Sequence, residues 1–320
     1  MNSESEITAA AEATKITAPA SGAAHGPLSP FDLTALIACS LIWGTTWFAI
    51  TWQLGSVAPV VSVVYRFGLA AALLFGWCLV SRRSMRMSLR QHLIVATQGL
   101  FVFGLNYALV YLSEERIASA VAAVAFAGLA FFNVVLFRVT LGQKAPPAVW
   151  IAALLGLAGV GVVSWAELQR THMDARAWAG LGFAGAAVCA AAVGNYFSHK
   201  AQEAGTKLTA GTAWAMAYGT AFLVIAALVS GSRWTFQWTV PYVASLLYLS
   251  LFGSVTAFVL YFALAKRRGY TFASYISAVT PLLAMVVSMV FEHARWGWEA
   301  FAGIALVVTG QVLMIRGRKA

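Results

Sequence analysis

From residue 32 onward the chain alternates between long apolar stretches and short polar connectors. A helix that crosses the hydrocarbon core of a bilayer needs about 20 apolar residues at ~1.5 Å rise each. Ten stretches suit that requirement: Asp32–Leu54, Ala58–Val80, Gln91–Leu112, Ile117–Phe137, Ala148–Trp165, Ala177–His199, Leu208–Ser230, Pro241–Ala265, Tyr270–Phe291 and Trp298–Ile315. The connectors are too short for a second folded unit, so the pattern predicts one all-α integral membrane domain of ten helices. Residues 1–31 are rich in Ala, Ser, Thr, Pro, Gly and Glu and lack an apolar core of signal-peptide length. They are expected to form a disordered cytoplasmic tail rather than a cleaved leader.

Composition agrees with the pattern. Of the 320 residues 61% are hydrophobic and only 10% are charged, against about 25% charged in a soluble domain. The net charge of +10 invites a nucleic-acid reading, but its distribution argues against one. With the N-terminus placed inside, the inner connectors and tails hold fifteen Lys and Arg (among them Arg82, Arg83, Arg86, Lys266, Arg267 and Arg268) and the outer ones hold five (Arg116, Arg170, Arg176, Arg233 and Arg295). That asymmetry sets membrane orientation and predicts both termini in the cytoplasm, in the inner membrane, with the lipid bilayer as partner and no nucleic acid. Cys39, Cys78 and Cys189 all lie within spans and are expected to be packing residues, not a disulfide framework.

The two halves carry the same marks in the same order. Phe103-Gly104 is followed by Tyr111, and Phe252-Gly253 by Tyr261; Ala118-Ser119 opens the fourth span and Ala273-Ser274 the ninth. Gly156, Gly159 and Gly161 in the fifth span answer to Gly303 and Gly310 in the tenth. This order predicts a five-helix unit used twice, residues 32–168 and 177–315, followed by a basic tail, 316–320. Because five is odd, the second copy enters the membrane from the opposite side. Inverted repeats of this kind put a solute site near the midplane, at the repeat interface.

Trp43-Gly44, Arg66, the two Phe-Gly…Tyr spacings, Pro281 and the Gly-rich last span together resemble the drug/metabolite transporter superfamily, EamA type, over residues 32–315. Within it the chain looks most like the bacterial amino-acid and metabolite exporters, including those for aromatic amino acids. The resemblance implies a basket of helices around a central cavity, with the last helix of each repeat peripheral. One departure is visible: members often carry a proline in the fourth span as in the ninth, and the matching position here is Phe126, with Gly128 nearby.

Arg66 is the only charge in the middle of an apolar stretch, about 12 Å below the outer boundary by helical rise. A charge at that depth is costly and has a partner or a wet surrounding. Two readings stand side by side: a guanidinium that attracts an anionic group such as a substrate carboxylate, or a structural pin between helices. Pro281 removes the hydrogen bond to the carbonyl of Ser277. Ser274, Ser277 and Pro281 share one helix face, which suggests a hinge or gate beside a polar stripe; an ordinary packed kink is the other reading. The remaining candidates for the cavity are Trp43 and Thr46, with Trp47 one turn from Trp43, on the first span; Asn106, Tyr107 and Tyr111 on the third; Asn195 on the sixth; Trp214 and Tyr218 on the seventh; and Ser254 and Tyr261, with Phe258, on the eighth. Small-molecule sites are mostly apolar and aromatic with a few convergent polar groups, although Trp and Tyr also favour membrane interfaces and buried polar side chains also join helices. Asn133 suits either role. Glu114 and Glu115 are expected to be solvated in a connector, and His92 and His199 to sit at cytoplasmic ends.

No phosphate-binding loop, dinucleotide loop or HExxH occurs, no paired intramembrane aspartates are present, and no metal or cofactor is expected. The mid-span segments carry no Asp or Glu, where proton-coupled carriers usually have one. The expectation is therefore a transporter, not an enzyme, that needs no obligate protein partner. It would export amino acids, aromatic or otherwise neutral, or related small metabolites, by alternating access and down their gradient. Export of drugs or sugar derivatives, or a solute channel, is the alternative.

Overall fold

The computed structural model describes residues 28–143, 146–170, 174–274, 276–291 and 296–316. The expected N-terminal tail up to residue 27, and the C-terminal tail from 317, lie outside the described residues, as do Lys144 and Arg295. Ten membrane helices follow one another: α1 Pro30–Thr51, α2 Pro59–Val80, α3 Leu89–Glu114, α4 Ser119–Leu141, α5 Pro147–Arg170, α6 Ala175–Glu203, α7 Leu208–Val229, α8 Val240–Arg268, α9 in two pieces, Tyr270–Ala273 and Ile276–Phe291, and α10 Trp298–Arg316. The first eight are long and apolar enough to cross a bilayer; α9 and α10 carry shorter apolar stretches, Val279–Phe291 and Trp298–Gly310.

Several helices start earlier or run further than hydropathy alone suggests, because polar end groups extend them. Ser29 caps α1 and Asp32 returns a bond to the Ser29 backbone. Ser88 and Gln91 do the same for α3, and Asp174 caps α6. Each cap satisfies amides that the first helical turn leaves bare.

The helices form two five-helix repeats of opposite orientation around a central cavity, and the packing obeys that relation. Helix α2 lies against α7, and α5 against α10. Helix α3 packs on α6 and α7, as its counterpart α8 packs on α1 and α2. Helix α4 packs on α6, as α9 packs on α1. The most apolar window of α4 is 67% buried and that of α5 only 33%, which puts the fourth helix inside and the fifth outside.

Both third helices contain a π-helical stretch over the Phe-Gly pair: Leu100–Leu105 in α3 and Leu249–Thr256 in α8. An extra residue in a helical turn rotates everything beyond it by about 100°. In α3 the residues so re-aimed begin with Asn106 and Tyr107; in α8 they include Phe258 and Tyr261. The fourth helices are interrupted too. Helix α4 tightens to a 3₁₀ turn at Phe126–Gly128, where the expected proline is missing, and α9 breaks at Ser274, with Pro281 buried in its longer piece.

Backbone contact fastens α5 to α10. A Cβ on Gly159 would stand 2.3 Å from the Gly303 carbonyl oxygen, and one on Gly310 2.4 Å from that of Ala152. Gly161 faces open space and takes no part. Cys39 and Cys78 are buried as packing residues, but Cys189 is exposed on the outer face of α6.

Candidate functional site

The central cavity is lined by three helices from each repeat, and they occupy matching places: α1, α3 and α4 from the first, α6, α8 and α9 from the second. Together with the space by which it opens to the outside, it has a volume of about 770 Å³, room for several water molecules.

Six aromatic rings form the wall: Trp43, Trp47, Tyr107, Phe126, Phe258 and Tyr261. Trp43 donates its indole N–H to the Gly253 carbonyl at 3.1 Å, which fixes its ring against Phe258 at 5.2 Å and Tyr261 at 5.3 Å. Gly253 lies in the π-helical stretch of α8, where a Cβ would come 2.8 Å from the Thr46 methyl group. Trp47 meets Phe126 edge-on at 5.2 Å.

The polar part of the lining comes from Thr46, Asn106, Asn195, Ser274, Ser277 and Thr280. A short chain of bonds ties three helices together beside it. Asn195 donates to the Asn133 side-chain oxygen at 3.3 Å, and Asn133 donates to Ser274 Oγ at 2.8 Å. Asn133 is fully buried and joins α4, α6 and α9 rather than lining the space. Two buried polar atoms on the cavity wall have no hydrogen-bond partner among the described residues, Trp47 Nε1 and Asn106 Oδ1, while the Tyr261 hydroxyl lies close to Asn195 and Ser274 without a well-aligned bond. An unmatched buried polar atom costs about 1–3 kcal/mol, so Trp47 and Asn106 are places where water or a solute would be held. Among the described residues, no charged side chain lines the cavity.

Of the residues expected at the site, Trp43, Thr46, Asn106, Tyr107, Asn195, Tyr261, Ser274 and Ser277 come together around this cavity. Arg66, Tyr111, Trp214, Tyr218 and Ser254 lie off it. Helices α2 and α7 stand behind the six lining helices, which removes Arg66, Trp214 and Tyr218 from the wall. Trp214 and Tyr218 instead surround His92, with the Tyr218 hydroxyl 2.9 Å from His92 Nδ1 and Trp214 donating to the Met85 carbonyl at 3.2 Å. Pro281 is buried next to the Thr280 position but does not line the space.

Arg66 is completely buried between α2, α3 and α8. Its Nε donates to Ser254 Oγ at 3.0 Å, and Ser250 Oγ donates to its backbone carbonyl at 3.0 Å. The guanidinium carbon sits 4.5 Å from the centre of the Tyr107 ring and 5.1 Å from that of Phe67. Nη1 and Nη2 make no well-aligned hydrogen bond among the described residues, and the Tyr107 and Tyr111 hydroxyls lie close to them. Tyr107 thus shows one side to the cavity and the other to the cation.

One turn past Tyr107, Tyr111 is buried and donates to the Gln53 side chain at 2.6 Å. One turn before Ser274, the Tyr270 hydroxyl donates to Ser198 at 2.6 Å and accepts from Gln202 at 2.9 Å. Sequence reasoning missed Gln53, Ser198 and Thr280, whose polarity has no periodic signal. It also missed a buried ion pair. Asp32, at the start of α1, accepts from Arg268 at 2.7 Å and from Arg267 at 3.0 Å, both at the end of α8. Glu114 is buried at the last turn of α3, not solvated as expected, because that turn packs against the start of α6: Ser113, its neighbour, donates to the Gly180 carbonyl at 2.9 Å.

A two-fold basket of ten membrane helices around a solute-sized chamber defines a membrane transporter. The chain belongs to the EamA-like transporter family, whose pattern it matches twice, over residues 31–165 and 177–316. It is similar to the uncharacterized inner membrane transporter YedA of Escherichia coli (strain K12), with 25% identity over 285 residues, 89% of this chain and 90% of that one. It is also similar to the uncharacterized transporter YvbV of Bacillus subtilis (strain 168), with 28% identity and 69% and 68% coverage, and to protein PagO of Salmonella typhimurium, with 24% identity and 77% and 80% coverage. A solved crystal structure of the same fold superposes with a TM-score of 0.70, covering 90% of this chain and 99% of the other at 17% identity.

Proposed function

We propose that this transporter exports neutral amino acids, aromatic ones foremost, or closely related small metabolites, by alternating access across the inner membrane, with both termini in the cytoplasm. The observation that carries this reading is the central cavity itself. It has six aromatic rings, no charged side chain among its described lining residues, two unpartnered polar atoms, Trp47 Nε1 and Asn106 Oδ1, and the Tyr261 hydroxyl beside Asn195 and Ser274. A planar ring with a few hydrogen-bonding groups suits that combination of apolar wall and fixed polar points. Ser274, Ser277 and Pro281 in the divided helix α9 are the moving part in this reading, and Arg66 supplies positive charge from behind Tyr107.

Proteoliposomes containing the purified chain would test it. Labelled phenylalanine, tryptophan, leucine, a cationic dye and a hexose phosphate are offered in turn. The expected result is uptake of the amino acids, accelerated when unlabelled amino acid is loaded inside. Flux indifferent to internal solute would indicate a pore. Uptake confined to the dye or the sugar phosphate would overturn the substrate class. Strong acceleration by an imposed pH gradient at fixed solute gradient would overturn the downhill mechanism.

A further inference from the structure

Arg66 is completely buried, with Nε bonded to Ser254 of α8 and the Tyr107 and Tyr111 hydroxyls of α3 close to the guanidinium. These contacts tie α2 to α3 and α8. A clamp on a substrate carboxylate would reach the cavity, and Arg66 is not among its lining residues. Instead the guanidinium is stacked behind the Tyr107 ring, 4.5 Å from its centre, while that ring lines the chamber. Gly253 makes room for it, since a Cβ there would come 3.3 Å from Nη2. The same glycine holds Trp43 in the opposite wall through its carbonyl.

We propose that Arg66 is a specificity-determining residue that sets the charge preference of the chamber through its electric field, without touching the solute. This rests on the reading of the chamber as the solute path. Among the described residues, no charged side chain lines the chamber to oppose the field. Asp32 is taken up by Arg267 and Arg268. Glu114, buried on α3 one turn beyond the lining residue Val110, opposes the field at that end of the chamber, so the effect of Arg66 is greatest beside Tyr107. At an effective dielectric of ~20, unit charges on the order of 10 Å apart change each other's occupancy on the order of 10-fold. A monoanion and a monocation would then differ by about 100-fold, reduced toward about 10-fold once water fills the space. A carboxylate-bearing or zwitterionic ring is favoured, and a cationic amphiphile is kept out of a cage of aromatic faces that would otherwise attract it.

The test does not require a known substrate. Cys39, Cys78 and Cys189 are replaced by Ala, and a single thiol is introduced on the chamber wall by Ser277→Cys or, as a reference, at exposed Ser230 by Ser230→Cys. The rates of modification by sulfonatoethyl and trimethylammonioethyl methanethiosulfonate are then compared. Relative to the reference site, the anionic-to-cationic ratio at position 277 should exceed one by 10-fold or more. It should collapse in Arg66→Gln, survive in Arg66→Lys, and fall with added salt in the protein that retains Arg66. The salt series keeps the test valid if Arg66→Gln fails to fold. A ratio indifferent to both salt and Arg66 overturns the field and leaves the carrier reading standing. Failure of both reagents to reach position 277 shows a sealed chamber and overturns both.

Discussion

Replacing Asp32 by Asn should destabilise the protein by about 3 kcal/mol, more than any exposed ion pair would. The carboxylate is fully buried, and Arg268 is only 8% exposed. Two nitrogens of Arg268 reach one carboxylate oxygen, at 2.9 and 2.7 Å, and Arg267 reaches the other at 3.0 Å. Arg267 is half exposed, so its share is at most about 1 kcal/mol. Most of the cost falls on Arg268, which would lose the carboxylate oxygen that takes two of its N–H groups; removing one member of a buried pair costs about 3–5 kcal/mol, and the lower end applies here. The assay is reversible unfolding in mixed micelles of rising SDS fraction, followed by tryptophan fluorescence. A double-mutant cycle with Arg268→Gln isolates the pair: the double variant should be less destabilised than the two single losses added together, because each single variant already loses the shared interaction. A single-variant cost under about 0.5 kcal/mol, the range of an exposed pair, or strict additivity in the cycle, would refute a lock of buried charge between α1 and α8.

Gly159→Val should drive α5 and α10 apart and lower both folded yield and unfolding midpoint, whereas Gly161→Val, which faces open space, should leave both unchanged. Equal behaviour of the two variants in the SDS assay would contradict backbone contact at Gly159. Pro281→Ala restores a backbone donor inside α9 and should raise stability slightly while slowing turnover in proteoliposomes; undiminished turnover would remove Pro281 from the moving part. An apolar maleimide that partitions into the detergent should label Cys189, on the lipid-facing side of α6, and spare buried Cys39 and Cys78, and mass spectrometry of peptides would reveal any other order of reactivity.

Hydropathy was enough to find all ten helices, and the Phe-Gly…Tyr and Ala-Ser spacings revealed the duplication, because both depend on composition along one helix. Trp43, Asn106, Tyr261 and Ser274 could be singled out as polar or amphipathic groups too deep for lipid. What sequence could not supply was the direction in which each helix faces. Trp214 and Tyr218 have the same chemistry as Trp43 and Tyr261, but α7 belongs to the second rank of helices and turns them toward His92. Arg66 was conspicuous as a buried charge, yet its position behind Tyr107 depends on π-helical turns in α3 and α8 that no residue pattern announces. The Asp32–Arg268 pair joins residues 236 positions apart, each of which looks like an ordinary charge at a helix end. Glu114 is similar: its burial comes from the start of α6, which arrives from the other repeat.

The glycine contacts between α5 and α10 limit how such a molecule can rearrange. Two backbones touching at Gly159 and Gly303, and again at Ala152 and Gly310, leave no side-chain cushion in which one helix could tilt over the other. The two repeats are thus fastened at their margins, where α5 meets α10, and do not part there like the jaws of a clamp. Whatever reshaping lets cargo through must be concentrated in the interrupted inner helices, α3, α4, α8 and α9, while the outer pair stays fixed as a frame.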